Sequence, residues 1–389
     1  MDRRRFLITT GLSSAALVTS KSIFKNLLSV NNLTSQDFFV GTYGMGLDGG
    51  IYFCRLDLKS GEISLINENR GIDNPSFFTI HSTNRFLFAV NEIDKSDGSS
   101  GGIVSSFAIN RDNGNLKLIN RQPTLGASPC YIISDPSDKF LLITNYSGGS
   151  IIVFPILEGA NIGSNIRFIQ NTGKSINPER QTSPHPHSIV LSPDSHFAFV
   201  PDLGLDQILI YRFDQDRGNL GSNTIPFVSL KPGSGPRHFT FHPNHKSAYV
   251  INELNSTITA YRYKLMNGKL KEIQTISTLP EEFKGENYCA DIHIHPDGKF
   301  LYGSNRGHNS IACYSIDQSK GTLEMIGCIS THGEWPRNFT IDPSGQYLLA
   351  ANQRSNNIFT FRINKETGEL TSTGFSIEIN QPVCIRFLN

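Results

Sequence analysis

The chain has 389 residues and a formal net charge of +1. That balance gives no sign of the basic footprint of a nucleic-acid binder or the charged face of a membrane-surface protein, and neither partner is expected. Thirty-four glycines, nineteen prolines and twenty-six phenylalanines favour many short strands joined by turns, and no run of eighteen apolar residues is available to span a membrane.

The chain opens MDRRRFLITTGLSSAALVTSKS. Arg3, Arg4 and Arg5 precede Phe6 and Leu7, and a short apolar stretch with small residues follows, which is the layout of a secretory signal. The order Arg-Arg-x-Phe-Leu resembles a twin-arginine signal, which exports folded proteins. Residues 1–36 are expected to be signal and polar spacer, and residues 37–389 the folded domain. The mature protein is then periplasmic or secreted, with no membrane insertion. A basic arm on a cytoplasmic protein is the alternative.

From there one unit recurs. NPSFFTIHSTNRFLFAVNE, SPCYIISDPSDKFLLITNY, HPHSIVLSPDSHFAFVPDL, GPRHFTFHPNHKSAYVINE, CADIHIHPDGKFLYGSNR and WPRNFTIDPSGQYLLAANQ each pair two strand-like runs across a turn. A seventh copy begins at QPVCIRFLN, where the chain ends. Successive copies lie 46 to 57 residues apart. Between them stand seven segments such as GGIYFCRLDLKSGEI and STITAYRYKLMNGKLKEI, each a third strand, a glycine turn and a fourth strand. Four strands per unit at this period predict an all-β, seven-bladed β-propeller. The first unit lacks its innermost strand, and the C-terminal QPVCIRFLN supplies it. The ring is therefore closed by strands from both ends of the chain. A closed ring leaves no free sheet edge, so a monomer is expected. The six cysteines have no C-x-x-C spacing, and several lie within apolar alternation; buried free thiols are expected.

Seven copies provide an internal comparison. Residue types that recur build the blade, and polar residues that depart from their column need another reason. If strands are numbered one to four outward from the channel, the start of strand one and the end of strand two meet on one face. Strand two closes on Asn91, Asn145, Asp202, Asn252, Asn305 and Asn352, a recurrence that suits turn geometry. The next position varies: Glu92, Tyr146, Leu203, Glu253, Arg306 and Gln353. After the leading proline of strand one come Ser76, Cys130, His187, Arg237, Ala290, Arg337 and Val383. Arg237, Arg306, Arg337, His187, Glu253 and Glu92 are thus expected around one mouth of the channel. His242 and His295 precede turn prolines in a column shared with Asp135, Ser192 and Asp342, so they are read as turn residues. His238 and His242 would stand about 13 Å apart on a strand, too far to share a metal. His308 lies two residues beyond Arg306 and is close enough in sequence to reach the mouth.

RQTSPHPHSIVLSPD, PGSGPRHFTFHP, VINELNSTI, NRGHNSIACYSID and WPRNFTIDPSG together resemble the seven-bladed propeller lactonase family. That family includes the propeller type of 6-phosphogluconolactonase and the fungal carboxy-cis,cis-muconate cyclases. The resemblance covers the chain from about residue 37 onward and implies catalytic roles for His187, Arg237, Glu253 and Arg306. Asp291 stands where the family often has a glutamate. The expected function is hydrolysis of a sugar lactone, with Glu253 or His187 taking a proton from water and Arg237 and Arg306 holding the substrate's oxygens. His185, His238, Asp291, Arg337, Gln353 and Glu92 are expected to bind the small-molecule lactone. No H-E-x-x-H, calcium loop or G-x-S-x-G element is present, so no cofactor, metal or serine nucleophile is expected. A muconate-type cyclase and a non-enzymatic scaffold are the alternatives.

Overall fold

The computed structural model describes residues 34–96 and 99–388, which leaves the expected export signal outside the described residues. Ser35–Asn389 forms a compact unit of its own. Its first strand, Ser35–Thr42, begins two residues before the expected start of the domain.

Seven antiparallel sheets follow one another in chain order around a ring, as the repeat predicts. Blade 5 is typical, with strand one at Pro236–Phe241 and strand two at Ser247–Asn252. Its outer strands are Thr257–Lys264 and Lys269–Ser277. Burial falls outward: strand two is buried throughout, and strand four alternates with solvent. Aromatic side chains fill the space between blades, as where Phe199 of blade 4 stacks on Phe239 of blade 5 at 5.4 Å. The first sheet is completed by the C-terminal strand Pro382–Phe387, which pairs antiparallel with Ser35–Thr42. All six thiols are free, and five of them are buried.

Blade 4 departs from the pattern. Its strand one is reduced to Val190–Leu191 and an isolated bridge between Pro186 and Asp202. Pro184 and Pro186 lack the N–H that a longer ladder needs. Strand four is split into Asn219–Gly221 and Phe227–Ser229.

Two backbone features at the start of strand one position the site. The residue before the leading proline has positive φ in five blades: Asn74, Ser128, Gly235, Trp335 and Gln381. Gly235 needs its missing side chain, because a Cβ there would meet Leu254 at 2.5 Å. The residue after the proline is then an extra one. Pro236 faces Asn252 but His238 faces Ile251, which leaves Arg237 bulged; Cys130, Arg337 and Val383 are bulged in the same way. A bulge breaks strict alternation and re-aims side chains. Consecutive residues such as Arg237 and His238, or Arg337 and Asn338, therefore both line the channel.

One expectation about this frame is corrected. The asparagines that close strand two do not adopt left-handed geometry, since none has positive φ. They are buried ties. The side-chain amides of Asn145, Asn305 and Asn352 donate to the carbonyls of Thr124, Thr278 and Thr331 at 3.1, 2.8 and 3.0 Å, fixing the crossover into each blade.

Candidate active site

At one mouth of the channel lies a cavity of about 290 Å³. Six of the expected residues line it: Glu92, His187, Glu253, Arg306, Arg337 and Gln353. Beneath it is a smaller chamber, which His187, Glu92 and Arg337 share with Arg237 and His238.

Glu253 is the hub. It follows strand two of blade 5 and is only 4% exposed. Its Oε2 meets Arg237 Nε at 3.0 Å and Arg306 Nη2 at 2.8 Å, and its Oε1 meets Arg180 Nη2 at 2.7 Å. Burial alone would raise its pKa, but Arg306, Arg237 and Arg180 outweigh burial and hold it at about 2. Arg237 is itself pushed down to about 10 by burial, Arg306 and Arg337, and so stays charged at neutral pH. Its Nη1 donates to the Ala290 carbonyl at 2.5 Å. Arg306 is anchored through Nε and Nη2 to the carbonyls of Tyr288 and Cys289, at 3.1 and 3.0 Å.

On the other side of the mouth, Arg337 and Glu92 are 3.9 Å apart. Tyr43 bridges them: its hydroxyl donates to Glu92 Oε2 at 2.8 Å and accepts from Arg337 Nη2 at 2.6 Å.

His187 is 5% exposed and stands between the two chambers. Burial is the main cause that holds its pKa well below 6.5, with Arg237, His238 and Arg337 adding to it. The ring is therefore neutral at physiological pH. Its Nδ1 lies 3.7 Å from Cys130 Sγ.

His238 and Asp291 lie deeper. His238 Nδ1 meets Asp291 Oδ1 at 2.7 Å, and its Nε2 meets Arg237 Nη1 at 3.1 Å. Arginine can only donate, so Nε2 accepts and the ring proton sits on Nδ1. Asp291 also takes His293 Nε2 at 3.0 Å, the Ile292 amide at 2.9 Å and the Asn338 amide. Asp291 orients His238 and does not line either chamber. His185 also lies off the cavity, contrary to expectation. Its ring stacks on Tyr146 at 4.6 Å and its Nδ1 meets the Tyr146 carbonyl at 3.0 Å, so it supports that wall from behind. His308 bonds Ser310 at 2.7 Å and does not reach the mouth. His242 and His295 are turn residues that also tie adjacent blades, meeting the carbonyls of Gly298 and Gly345 at 2.7 and 2.9 Å.

Four wall residues are additions to the expected set: Tyr146, Arg180, Tyr288 and Trp335. Tyr146 occupies the variable column and was legible there. Arg180 belongs to the segment that leads into blade 4. Asn177 Oδ1 caps the amides of Glu179 and Arg180, both at 3.0 Å, and Gln181 Nε2 donates to the Leu203 carbonyl at 2.8 Å. This turn sets Arg180 over the mouth. Trp335 sits at φ 64, a conformation that is costly for a bulky residue, with Arg354 3.5 Å from its ring centre and Arg306 at 5.4 Å.

The fold and site define a propeller enzyme that gathers guanidinium groups, a buried carboxylate and a neutral histidine at one channel mouth. The model of the family described as "Lactonase, 7-bladed beta-propeller" matches residues 37–387, and the chain belongs to that family. It is 36% identical over 358 residues to a Bacillus subtilis protein called 6-phosphogluconolactonase, covering 92% of this chain and 99% of that one. A Formosa agariphila protein of the same name is 41% identical over 309 residues, with 78% and 86% covered. Among solved structures, the periplasmic gluconolactonase of Pseudomonas aeruginosa superposes with a TM-score of 0.85 at 31% identity, covering 91% of this chain and 99% of that one.

Proposed function

We propose that this chain hydrolyses a sugar lactone at the channel mouth, with His187 as general base and Arg306 as the main oxyanion donor. It is a carboxylic ester hydrolase, as its relatives' names indicate. The observation that carries the mechanism is the engagement of Glu253 by three guanidinium groups. Both oxygens of the Glu253 carboxylate are engaged by guanidinium groups, which ties them up as acceptors for a proton from water. His187 is neutral and lines both chambers. Glu253 is better suited to holding Arg237 and Arg306 side by side.

Water attacks the lactone carbonyl carbon as His187 Nε2 takes its proton. The carbonyl oxygen becomes an oxyanion beside Arg306, which lines the cavity. The ring C–O bond then breaks, the leaving alkoxide takes the proton from His187, and a hydroxy acid results. A positioned base contributes roughly 10²–10⁴-fold, and an oxyanion donor about 10²–10³-fold. Gln353 Oε1 is buried without a protein partner, which suits a hydroxyl of the substrate.

A panel of 6-phosphogluconolactone, gluconolactone and other aldonolactones tests this, with spontaneous opening subtracted. Wild type is expected to open at least one, and Glu253→Gln and Arg237→Ala to lose about 10²-fold or more by loosening the guanidinium cluster. Wild type at the uncatalysed rate on every lactone contradicts the proposal; turnover of muconate-type acids alone points to the cyclase chemistry instead.

The protein is also proposed to act outside the cytoplasm. Arg3-Arg4-Arg5-Phe6-Leu7 has export order, and the Pseudomonas aeruginosa neighbour is called periplasmic. An N-terminal mass beginning past residue 20 in an exported fraction is expected; an intact Met1 confined to the cytosol overturns it.

A further inference from the structure

We propose that Arg180 is the residue that recognises an anionic group on the substrate, leaving Glu253 for that group as the substrate enters. This rests on the lactonase reading and adds to it the charge of the preferred lactone.

The first observation is an asymmetry around Glu253. Its Oε2 holds Arg237 and Arg306, whose side chains are 2% and 5% exposed. Its Oε1 holds Arg180, whose side chain is 34% exposed. Removing Arg180 leaves the buried carboxylate still neutralised by two cations that cannot move away. Removing either of the others would unbalance a buried charge.

The second observation is the charge of the site. Four arginines, at positions 180, 237, 306 and 337, face two glutamates, Glu92 and Glu253. The surplus is two positive charges in a confined, partly desolvated space. Such a surplus attracts an anion and disfavours a cation.

The third observation is how Arg180 is mounted. Its backbone is fixed by the Asn177–Gln181 turn, with Gln181 itself fully buried. Among the described residues, its guanidinium beyond Glu253 meets the Tyr146 hydroxyl at 3.1 Å and the Tyr288 ring at 5.8 Å. Arg337 is less free, because Tyr43 and Glu92 hold it. A fixed base and a lightly held head let the side chain change partner without moving the loop. A planar guanidinium then takes a carboxylate or phosphate through two parallel hydrogen bonds.

The test uses the full chain, with Arg180→Gln and Arg180→Lys, on three lactones. 6-Phosphogluconolactone carries a phosphate, glucaro-1,4-lactone a carboxylate, and gluconolactone no charge. Arg180→Gln is expected to lower kcat/KM on the matching anionic lactone about 10- to 100-fold more than on gluconolactone, the loss of one charge-assisted contact. Arg180→Lys should recover part of that difference. The first two lactones tell phosphate from carboxylate. An equal loss on all three makes Arg180 a structural counter-ion and overturns the proposal.

A binding readout does not depend on turnover. Trp335 is the only tryptophan and lines the cavity, so its fluorescence reports occupancy. Wild type should bind glucose 6-phosphate or glucuronate more tightly than glucose, and Arg180→Gln should erase most of the difference. Equal affinity of wild type for all three sugars counts against the proposal. If no lactone is opened while this discrimination persists, the lactonase reading falls and the anion site stands.

Discussion

The residues proposed to carry the chemistry stand out by their failure to repeat. Glu253, Arg306, Glu92 and Gln353 share a column of mixed composition, and that column lines the mouth. Arg180 lies outside the repeat, while Tyr288 and Trp335 stand just before the leading proline or its Cys289 counterpart, a column whose side chains were not weighed for the site. The pKa values also depended on contacts that no spacing reveals. Asp291 and His185 illustrate the reverse case, since their sequence position suggested the cavity and their contacts are with His238 and Tyr146. The neutrality of His187 has a kinetic consequence. Because kcat/KM reports the free enzyme, a base held well below 6.5 is already deprotonated above that value. Corrected for spontaneous opening, kcat/KM should stay flat as pH falls from 8 through 6.5. An acid limb centred near 6.5 would mean an ordinary, exposed histidine is the base.

At the scale of strands, the period and the turn chemistry were legible, and the bulge was not. A bulge is one unpaired residue, and apolar alternation looks much the same on either side of it. Yet it is the bulge that turns Arg237 and Arg337 into the channel beside His238 and Asn338. The asparagine column was visible, but its role was misread. A recurring Asn is compatible with a left-handed turn or with a buried amide tie, and only the crossover carbonyls decide. Asn305 also bonds Ser310 and accepts from Asn287, at 3.2 and 3.1 Å. Asn305→Ala should therefore cost about 1–3 kcal/mol, read from the urea midpoint at unchanged slope. A turn role alone, at an ordinary φ, would leave the midpoint almost where it was.

For the whole molecule, ring closure could be inferred because the first unit lacked a strand that the chain end could supply, and that pairing is present. Blade 4 was less legible: its prolines shorten strand one at the place where His187 enters the site. The buried polar interior also makes stability depend on pH. Burial and Arg237 outweigh Asp291 and lower His238 from 6.5 to about 4. The unfolded chain then takes up that proton first as pH falls, so stability present above 6.5 is lost between 6.5 and 4. The loss is about 3 kcal/mol for this group. Tm should drop by several degrees across that window, and His238→Gln should make the drop shallower, with buried His187 supplying part of the remainder. A melt independent of pH there would place His238 in contact with solvent.

The sharpest decision comes from ring opening by wild type and His187→Gln at pH 7, on whichever lactone of the panel reacts fastest, with the spontaneous rate subtracted. The variant should melt like wild type and fall in kcat by about 10²–10⁴-fold. A folded His187→Gln that opens the lactone at the wild-type rate would remove the histidine from the mechanism and contradict the site as proposed.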